Sequence, residues 1–260
     1  MEWTEEGIVL SARRHGESSA IVSLLTREQG RHAGLVRGGF GRAQRGLLEP
    51  GNRVRAHWRA RLAEHLGTLT CEAVDSTAAA LLDDPLRLAA LAAATAVAEA
   101  ALPEREPHAR VHDGLQALLD LLLGPATIAV WGQAQAGWER DLLADLGFGL
   151  DLTRCAVSGT TEDLAFVSPK TGRAVSRAAA QGWRDRLLPL PVFLARPASG
   201  ASLPDIVAGL ALTGFFLERH GFAAGRDGAV AAARAARQRL IERLDRAAAQ
   251  AVMAAAQPQG

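Results

Sequence analysis

The stretch Asn52-Arg53-Val54-Arg55-Ala56-His57-Trp58-Arg59-Ala60-Arg61 decides the N-terminal fold, because polar and apolar side chains alternate along it without a break. A strand sends successive side chains to opposite faces, so Val54, Ala56, Trp58 and Ala60 share one face while Arg53, Arg55, His57, Arg59 and Arg61 share the other. One face is expected to enter a core and the other to carry a row of charge. Outward from this segment, residues 8–10, 20–25 and 33–36 are apolar runs separated by Arg-His-Gly-Glu and Arg-Glu-Gln-Gly, which have turn chemistry. A further strand is expected over residues 66–74, after the polar break at Glu64 and His65. Five short strands with glycines at their corners suit a small closed barrel of the OB type over residues 1–80.

From Asp83 onward the pattern becomes helical. Asp84-Pro85 is a cap followed by proline at the first helical position, and the Leu/Ala-rich run behind it stops at Pro103. Further helices are expected over residues 107–123 and 126–146, ended by Gly124-Pro125 and Gly147. The fold class is therefore α+β and multi-domain, a barrel followed by a mainly helical domain with an irregular insert. A helical bundle is expected over 81–148 and the insert over 149–200, where Gly159, Pro169, Gly172, Pro189, Pro191 and Pro197 interrupt any long period. C-terminal helices over 201–256 are expected to pack on the bundle: one opened by Ser202-Leu203-Pro204 and stopped by Gly221, and a last one over 228–255.

Composition narrows the function. The 260 residues are 48% hydrophobic and 22% charged, with a net charge of +1 that conceals local sorting. Between Arg27 and Arg61 there are nine arginines against two acids, Glu28 and Glu49, a local balance of +7. Lysine occurs once, at Lys170, so the positive charge is almost all guanidinium, which stays ionised and grips phosphate through paired hydrogen bonds. Two distant cysteines, Cys71 and Cys155, suit a reducing compartment rather than a disulfide framework. The acidic start Met-Glu-Trp-Thr-Glu-Glu is unlike a secretory signal, and the longest apolar run is too short for a bilayer; a cytoplasmic, nucleoid-associated protein is expected.

Several motifs together resemble a known family. Gly7-Ile-Val-Leu10, Gly16-Glu17, Ser19, Ile21, Leu24-Leu25-Thr26, Gly30, Gly34-Leu-Val-Arg-Gly38 and Pro50-Gly51 look like the N-terminal signature of bacterial RecO proteins. The run from Leu146 to Cys155, then Phe166-Val-Ser-Pro169 and Gly172, resembles their central element. The resemblance implies an N-terminal OB fold and a helical domain. It also implies DNA repair and recombination work: binding of single- and double-stranded DNA, annealing of complementary strands, and loading of recombinase onto DNA coated by single-strand-binding protein. The partners it implies are RecR, the C-terminal tail of single-strand-binding protein and, functionally, RecA. Some family members hold a structural zinc with two C-x-x-C pairs; here Cys155, Ser158, Ser176 and Ala179 stand at those places, a zinc-finger-like element lacking most cysteines. Serine hydroxyls are poor zinc donors, so no metal or other cofactor is expected, and packing is expected to hold the element.

The candidate DNA contacts are Arg53, Arg55, Arg59 and Arg61, with Arg37, Phe40, Arg42 and Arg45 in the glycine-rich stretch before them. Side chains two residues apart on a strand recur roughly every 6 to 7 Å, near the phosphate spacing of an extended nucleic-acid strand. The expectation is that no acid neutralises this row. The stretch from Gly38 to Gly46 reads either as a loop that closes over a strand or as a mobile linker. Phe40 is the better stacking candidate, Trp58 reads as core, and Trp3 is unassigned.

Catalytic patterns are missing or weak. The glycine stretch lacks the Gly-Lys-Ser/Thr ending of a phosphate-binding loop, Gly16-Glu-Ser-Ser-Ala20 is not a nucleophile elbow, and His108 and His112 read as surface histidines. No enzyme is expected. The alternatives are a nucleic-acid-modifying enzyme that uses the barrel for substrate, or a protein-binding adaptor. In the last helix Arg234, Arg237, Arg239, Arg243 and Arg246 flank the stripe Leu240, Ile241 and Leu244, the composition that suits an acidic tail if a groove exists there.

Overall fold

The computed structural model describes residues 1–223 and 225–255, apart from the side chains of Arg42, Ala43, Ala254 and Ala255. The described residues form two compact units, 1–125 with 225–237, and 126–223 with 238–255.

The first unit begins with strands β1 (Glu2–His15), β2 (Ser19–Thr26), β3 (Gly30–Val36), β4 (Arg53–Arg59) and β5 (Thr68–Asp75), with a short helix α1 (Arg42–Arg45) between β3 and β4. They close into a barrel in the order β1-β2-β3-β5-β4, with β3 and β5 parallel and the other pairings antiparallel. This is the five-stranded OB fold that the alternating stretch predicted. The alternation of β4 is realised as expected, with Val54, Ala56 and Trp58 buried and Arg55, His57 and Arg59 exposed.

Closure depends on β1, which is longer than its apolar run suggests. Residues 2–8 pair with β4 and residues 7–15 with β2, and a register shift between Val9 and Ser11 lies within the β2-paired part, just past the end of the β4 pairing. A bulge bends a strand and increases its twist, which lets one strand serve two neighbours around a small barrel. Val9, Val22, Leu24, Val54, Ala56 and Trp58 fill the interior.

After α2 (Thr77–Ala80), helices α3 (Pro85–Ala101) and α4 (Ala109–Leu123) complete most of this unit. Asp84 caps α3 as predicted, its Oδ1 accepting from Leu86 N and Arg87 N at 3.1 and 3.0 Å. Arg87 then donates to the carbonyls of Leu122 and Gly124, both at 2.6 Å, which closes the C-terminal end of α4 with a cation.

The second unit contains α5 (Ile128–Asp145), a three-stranded sheet of β6 (Leu164–Val167), β7 (Ala174–Ser176) and β8 (Leu188–Pro189), then α6 (Val192–Ala195) and α7 (Leu203–Phe216). Ser202 and Asp205 form a reciprocal capping box at the start of α7, and a π turn over Leu217–Gly221 ends it. The last helix, α8 (Asp227–Ala255), supplies residues to both units. No helix among the described residues is long and apolar enough to cross a membrane.

Candidate nucleic-acid interface

The β4 row points outward as expected, but it is not unpaired. Antiparallel register places Glu2 opposite Arg59 and Glu6 opposite Arg55. Glu6 approaches Arg55 at 3.1 Å and Glu2 approaches Arg59 at 3.9 Å. Arg53 is tied more firmly, to Asp75 of β5 and, at 3.4 Å, to Asp120 of α4. The expectation that no acid neutralises the row is therefore corrected. A window count of charge misses acids that long-range strand pairing brings alongside.

Exposure separates these three arginines. The side chains of Arg55 and Arg59 are 60% and 75% exposed, and such ion pairs contribute about 0.2–1 kcal/mol in water, so a polyanion can exchange for the carboxylates. Arg53, at 25%, is held between two carboxylates and is the least free of the row. Arg61 lies beyond β4, exposed, with no carboxylate in ion-pairing range among the described residues.

Other arginines of the basic segment also have internal work. Arg27 pairs with Asp113 at 3.1 Å and Glu28 at 2.9 Å. Arg31 is buried, donating to Leu102 O at 2.7 Å and lying 3.6 Å from Glu99 and 3.3 Å from Glu104. Arg226 completes that network, reaching the same two glutamates at 3.5 and 3.4 Å.

Free positive charge collects instead at the tip of the β1–β2 hairpin. Arg14 faces Ala20 in the β1–β2 register, and Ala20 faces Val36 in the β2–β3 register, so Arg13, Arg14 and Arg37 are neighbours at one edge. Phe40 N donates to Ser18 O at 3.0 Å, which fastens the segment after β3 to the same hairpin, and Arg45 follows five residues on at the end of α1. Arg13, Arg14, Arg37 and Arg45 are exposed, and none has a carboxylate in ion-pairing range among the described residues. The side chain of Arg42 lies outside the described residues. Arg13 and Arg14 were missed by the sequence reading; two adjacent cations just before Gly16 at a turn were the available signal.

The glycine stretch is neither a simple loop nor a linker. Buried Asn52 donates to Gly46 O at 2.8 Å and Leu47 O at 3.2 Å and accepts from Ala78 N at 3.1 Å, which anchors the end of the stretch. Phe40 is half-buried and packs on the barrel core, so its expected exposure is corrected. Trp58 is core, as expected. Trp3 lies almost parallel to it, with ring centroids 6.0 Å apart and planes 14° from parallel.

Two models of one family match the chain: Recombination protein O N terminal over residues 1–77 and Recombination protein O C terminal over residues 82–225. The chain belongs to the RecO family. A RecO described as a DNA repair protein from Rhodospirillum centenum is 54% identical over 250 residues, covering 95% of this chain and 96% of the relative. The RecO of Rhodospirillum rubrum is 53% identical over 249 residues, 95% and 97% of the two chains. That of Jannaschia sp. is 48% identical over 246 residues, with the same coverage.

The four positions that the family resemblance matched to cysteines, Cys155, Ser158, Ser176 and Ala179, come together here around Cys155. Its Sγ accepts from Ser158 N at 3.5 Å and Ser176 N at 3.3 Å, and Ala179 N donates to Ser176 Oγ at 3.4 Å. Burial pushes the Cys155 thiol up, but hydrogen bonds from Ser158 and Ser176 outweigh it and bring the pKa down to about 6. One thiol, two hydroxyls and a methyl group are not a tetrahedral zinc donor set, and Phe166, Val175 and Ala180 pack around the sulfur instead. His108 is buried rather than on the surface, and His112 pairs with Asp113 at 3.0 Å. On α8 the stripe residues Leu240 and Leu244 are buried by packing, so they form no open groove.

Proposed function

We propose that this chain is a recombination mediator that holds DNA on its barrel by charge, anneals complementary strands, and helps load RecA onto DNA coated by single-strand-binding protein, acting with RecR and without covalent chemistry. The observation that carries this reading is the exposed guanidinium of Arg13, Arg14, Arg37 and Arg45, none with a carboxylate in ion-pairing range among the described residues, Arg14 donating only to the backbone Glu17 O at 2.8 Å. Arg55, Arg59 and Arg61 extend it as contacts that phosphates gain by displacing Glu6 and Glu2, with Phe40, Arg42 and Arg53 as its lesser members. Both single and double strands present phosphate rows, so either is a ligand of such a surface, and neutralising two strands at once lowers their repulsion.

The tail of single-strand-binding protein is assigned to the second unit. There a cavity of about 510 Å³ has Phe166, Leu190 and Val192 in its lining and Arg177, Arg184 and Arg196 among its charged residues. An apolar floor beside guanidinium groups suits a short acidic, hydrophobic peptide. Arg184 already lies 5.6 Å over the Phe166 ring, which keeps the floor and the charge together.

The test is annealing of complementary strands coated with single-strand-binding protein, measured with the parent chain and with Arg13, Arg14, Arg37 and Arg45 changed to alanine. Annealing by the parent and its loss in the variant at moderate salt are the expected outcome. Equal annealing by both, or a nuclease or nucleotide-hydrolysing activity in the parent, overturns the reading.

A further inference from the structure

We propose that a cavity at one mouth of the barrel, lined by Trp3, His32, Trp58 and Arg105, is a capture site for a single unstacked nucleobase of a DNA strand bound to the barrel. The proposal rests on the DNA-binding reading and adds to it a site on a different part of the surface, which takes the base rather than the phosphate.

The cavity encloses about 430 Å³, within the range of about 300–1,000 Å³ usual for small-molecule sites and too small for a helix or a strand of a partner. Its walls are flat. Trp58 is 2% exposed and lies nearly parallel to the half-buried Trp3, so Trp3 is the flat surface available for a planar ring and Trp58 fixes its orientation. The His32 ring meets both edge-on, with centroids 5.1 Å from Trp3 and 4.7 Å from Trp58.

The polar groups decide which flat ligand fits. His32 is only 6% exposed, yet among the described residues neither of its ring nitrogens has a hydrogen-bond partner, and the same holds for Trp3 Nε1. Burial pushes the His32 imidazole down, with Arg105 adding to the effect, to about 4, so at neutral pH the ring offers one donor and one acceptor. Arg105 Nε, also in the lining, is a fourth buried atom without a partner among the described residues. Buried polar atoms normally find partners, and four orphans on the residues of one cavity point to a ligand that supplies them. An apolar side chain from a partner protein would leave all four unpaired. A nucleobase edge, with its adjacent donors and acceptors, satisfies them while its faces stack.

Charge around the cavity argues in the same direction. Arg105 is outnumbered by Glu2 and Glu28 in the lining, so the site favours a neutral polar ring over a phosphate or an acidic peptide. Arg105 is also held deliberately. Its φ of 64° is in the left-handed region that side chains avoid, and it is fixed there by its N donating to Arg31 O at 2.8 Å and its guanidinium donating to His65 O at 2.9 Å. The bridge of Glu104 to Arg31 beside it needs Gly30, whose φ is 66° and whose added Cβ would fall 1.9 Å from Glu106 O. Behind the lining, Gly67, at φ 67°, leaves room for the Trp58 indole, whose Nε1 donates to Leu66 O at 2.9 Å.

Fluorescence anisotropy of the full chain with two labelled strands of equal length tests the site, one oligothymidine and one an abasic phosphodiester with the same charges. The parent is expected to bind the base-bearing strand about tenfold more tightly, as stacking of one base predicts. His32→Phe, which keeps a ring without nitrogens, and Trp3→Leu are each expected to bring that preference close to one while leaving abasic affinity and its salt dependence unchanged. Equal binding of both strands by the parent overturns the site and leaves the charge-driven reading standing, and so does a preference that survives intact in both variants. A parent that binds neither strand overturns both.

Discussion

Removing the two carboxylates that face the β4 row is expected to tighten DNA binding, and the structure sets by how much. Glu6 lies 3.1 Å from Arg55 and Glu2 lies 3.9 Å from Arg59, with all four side chains more than half exposed. Each such pair is worth about 0.2–1 kcal/mol, which a phosphate must overcome before it engages the guanidinium. Glu2→Gln with Glu6→Gln removes both competitors and their repulsion of the strand, so a gain of roughly 0.5–2 kcal/mol, or about two- to thirtyfold in Kd, is expected at low salt. Each arginine that then takes up a phosphate steepens the dependence of log K on log salt by about 0.7 for single strands. Folding stability should change little, by less than about 1 kcal/mol for each replacement, because the pairs are on the surface. The assay is anisotropy of a labelled oligonucleotide titrated at several salt concentrations, beside a denaturant melt. Unchanged or weaker binding by a folded double variant refutes the assignment of β4 to DNA and leaves the hairpin edge as the whole interface.

Three further outcomes follow from the first unit. Asn52→Ala strips three hydrogen bonds from a buried position and is expected to cost on the order of 2 kcal/mol in a denaturant melt; oligonucleotide affinity should fall with it, because the stretch carrying Arg45 loses its anchor. Arg31→Ala leaves Glu99 buried without its nearest barrel cation, and a loss of about 3 kcal/mol or more is expected by thermal or urea unfolding, although Arg31 lines no proposed DNA site. His32 gives a pH signature. Its folded pKa of about 4 lies below the unfolded value near 6.5, so the unfolded chain takes up a proton that the folded chain refuses, and stability falls as pH drops through that window. Allowing for solvent in the cavity, the loss is on the order of 1–2 kcal/mol. His32→Phe should flatten that part of a stability-against-pH curve, and an unchanged slope would mean that His32 is not its source.

Much of the fold was readable because its determinants are local. The alternation through Trp58 defined β4, Asp84-Pro85 opened α3 one residue from where the helix begins, and Ser202-Leu203-Pro204 carried the capping box of α7. Where neighbours in space decide, the reading was thinner. The first half of β1 shows no apolar run: Glu2, Thr4 and Glu6 face outward, and even inward-leaning Glu5 is polar, accepting from Glu28 N at 2.8 Å. That segment is a strand because β4 supplies its hydrogen bonds. Likewise β6, β7 and β8 are four, three and two residues long, below the length at which a period can register against the surrounding glycines and prolines.

The same division between local and distant determinants explains why the candidate site moved. A charge count over a window treats every arginine as equally free, and over the basic segment it returned +7. In the folded chain the acids that matter lie 49 residues from Arg55, 22 and 67 residues from Arg53, and 68 and 73 residues from Arg31, in β1, β5, α3, α4 and the segment between α3 and α4. Arg31 became a buried strut and Arg53 a tie between β5 and α4, and neither role leaves a signature in neighbouring residues. What does survive the long-range pairing is charge whose strand partners are apolar or absent: Arg13 and Arg14, opposite Ile21 and Ala20 at the hairpin end, and the arginines after the end of β3. Cations opposite apolar partners or beyond a strand end, rather than cations opposite acids, are therefore the ones this barrel leaves without a carboxylate among the described residues. In this chain that criterion selects Arg13, Arg14, Arg37 and Arg45 without reference to the β4 row.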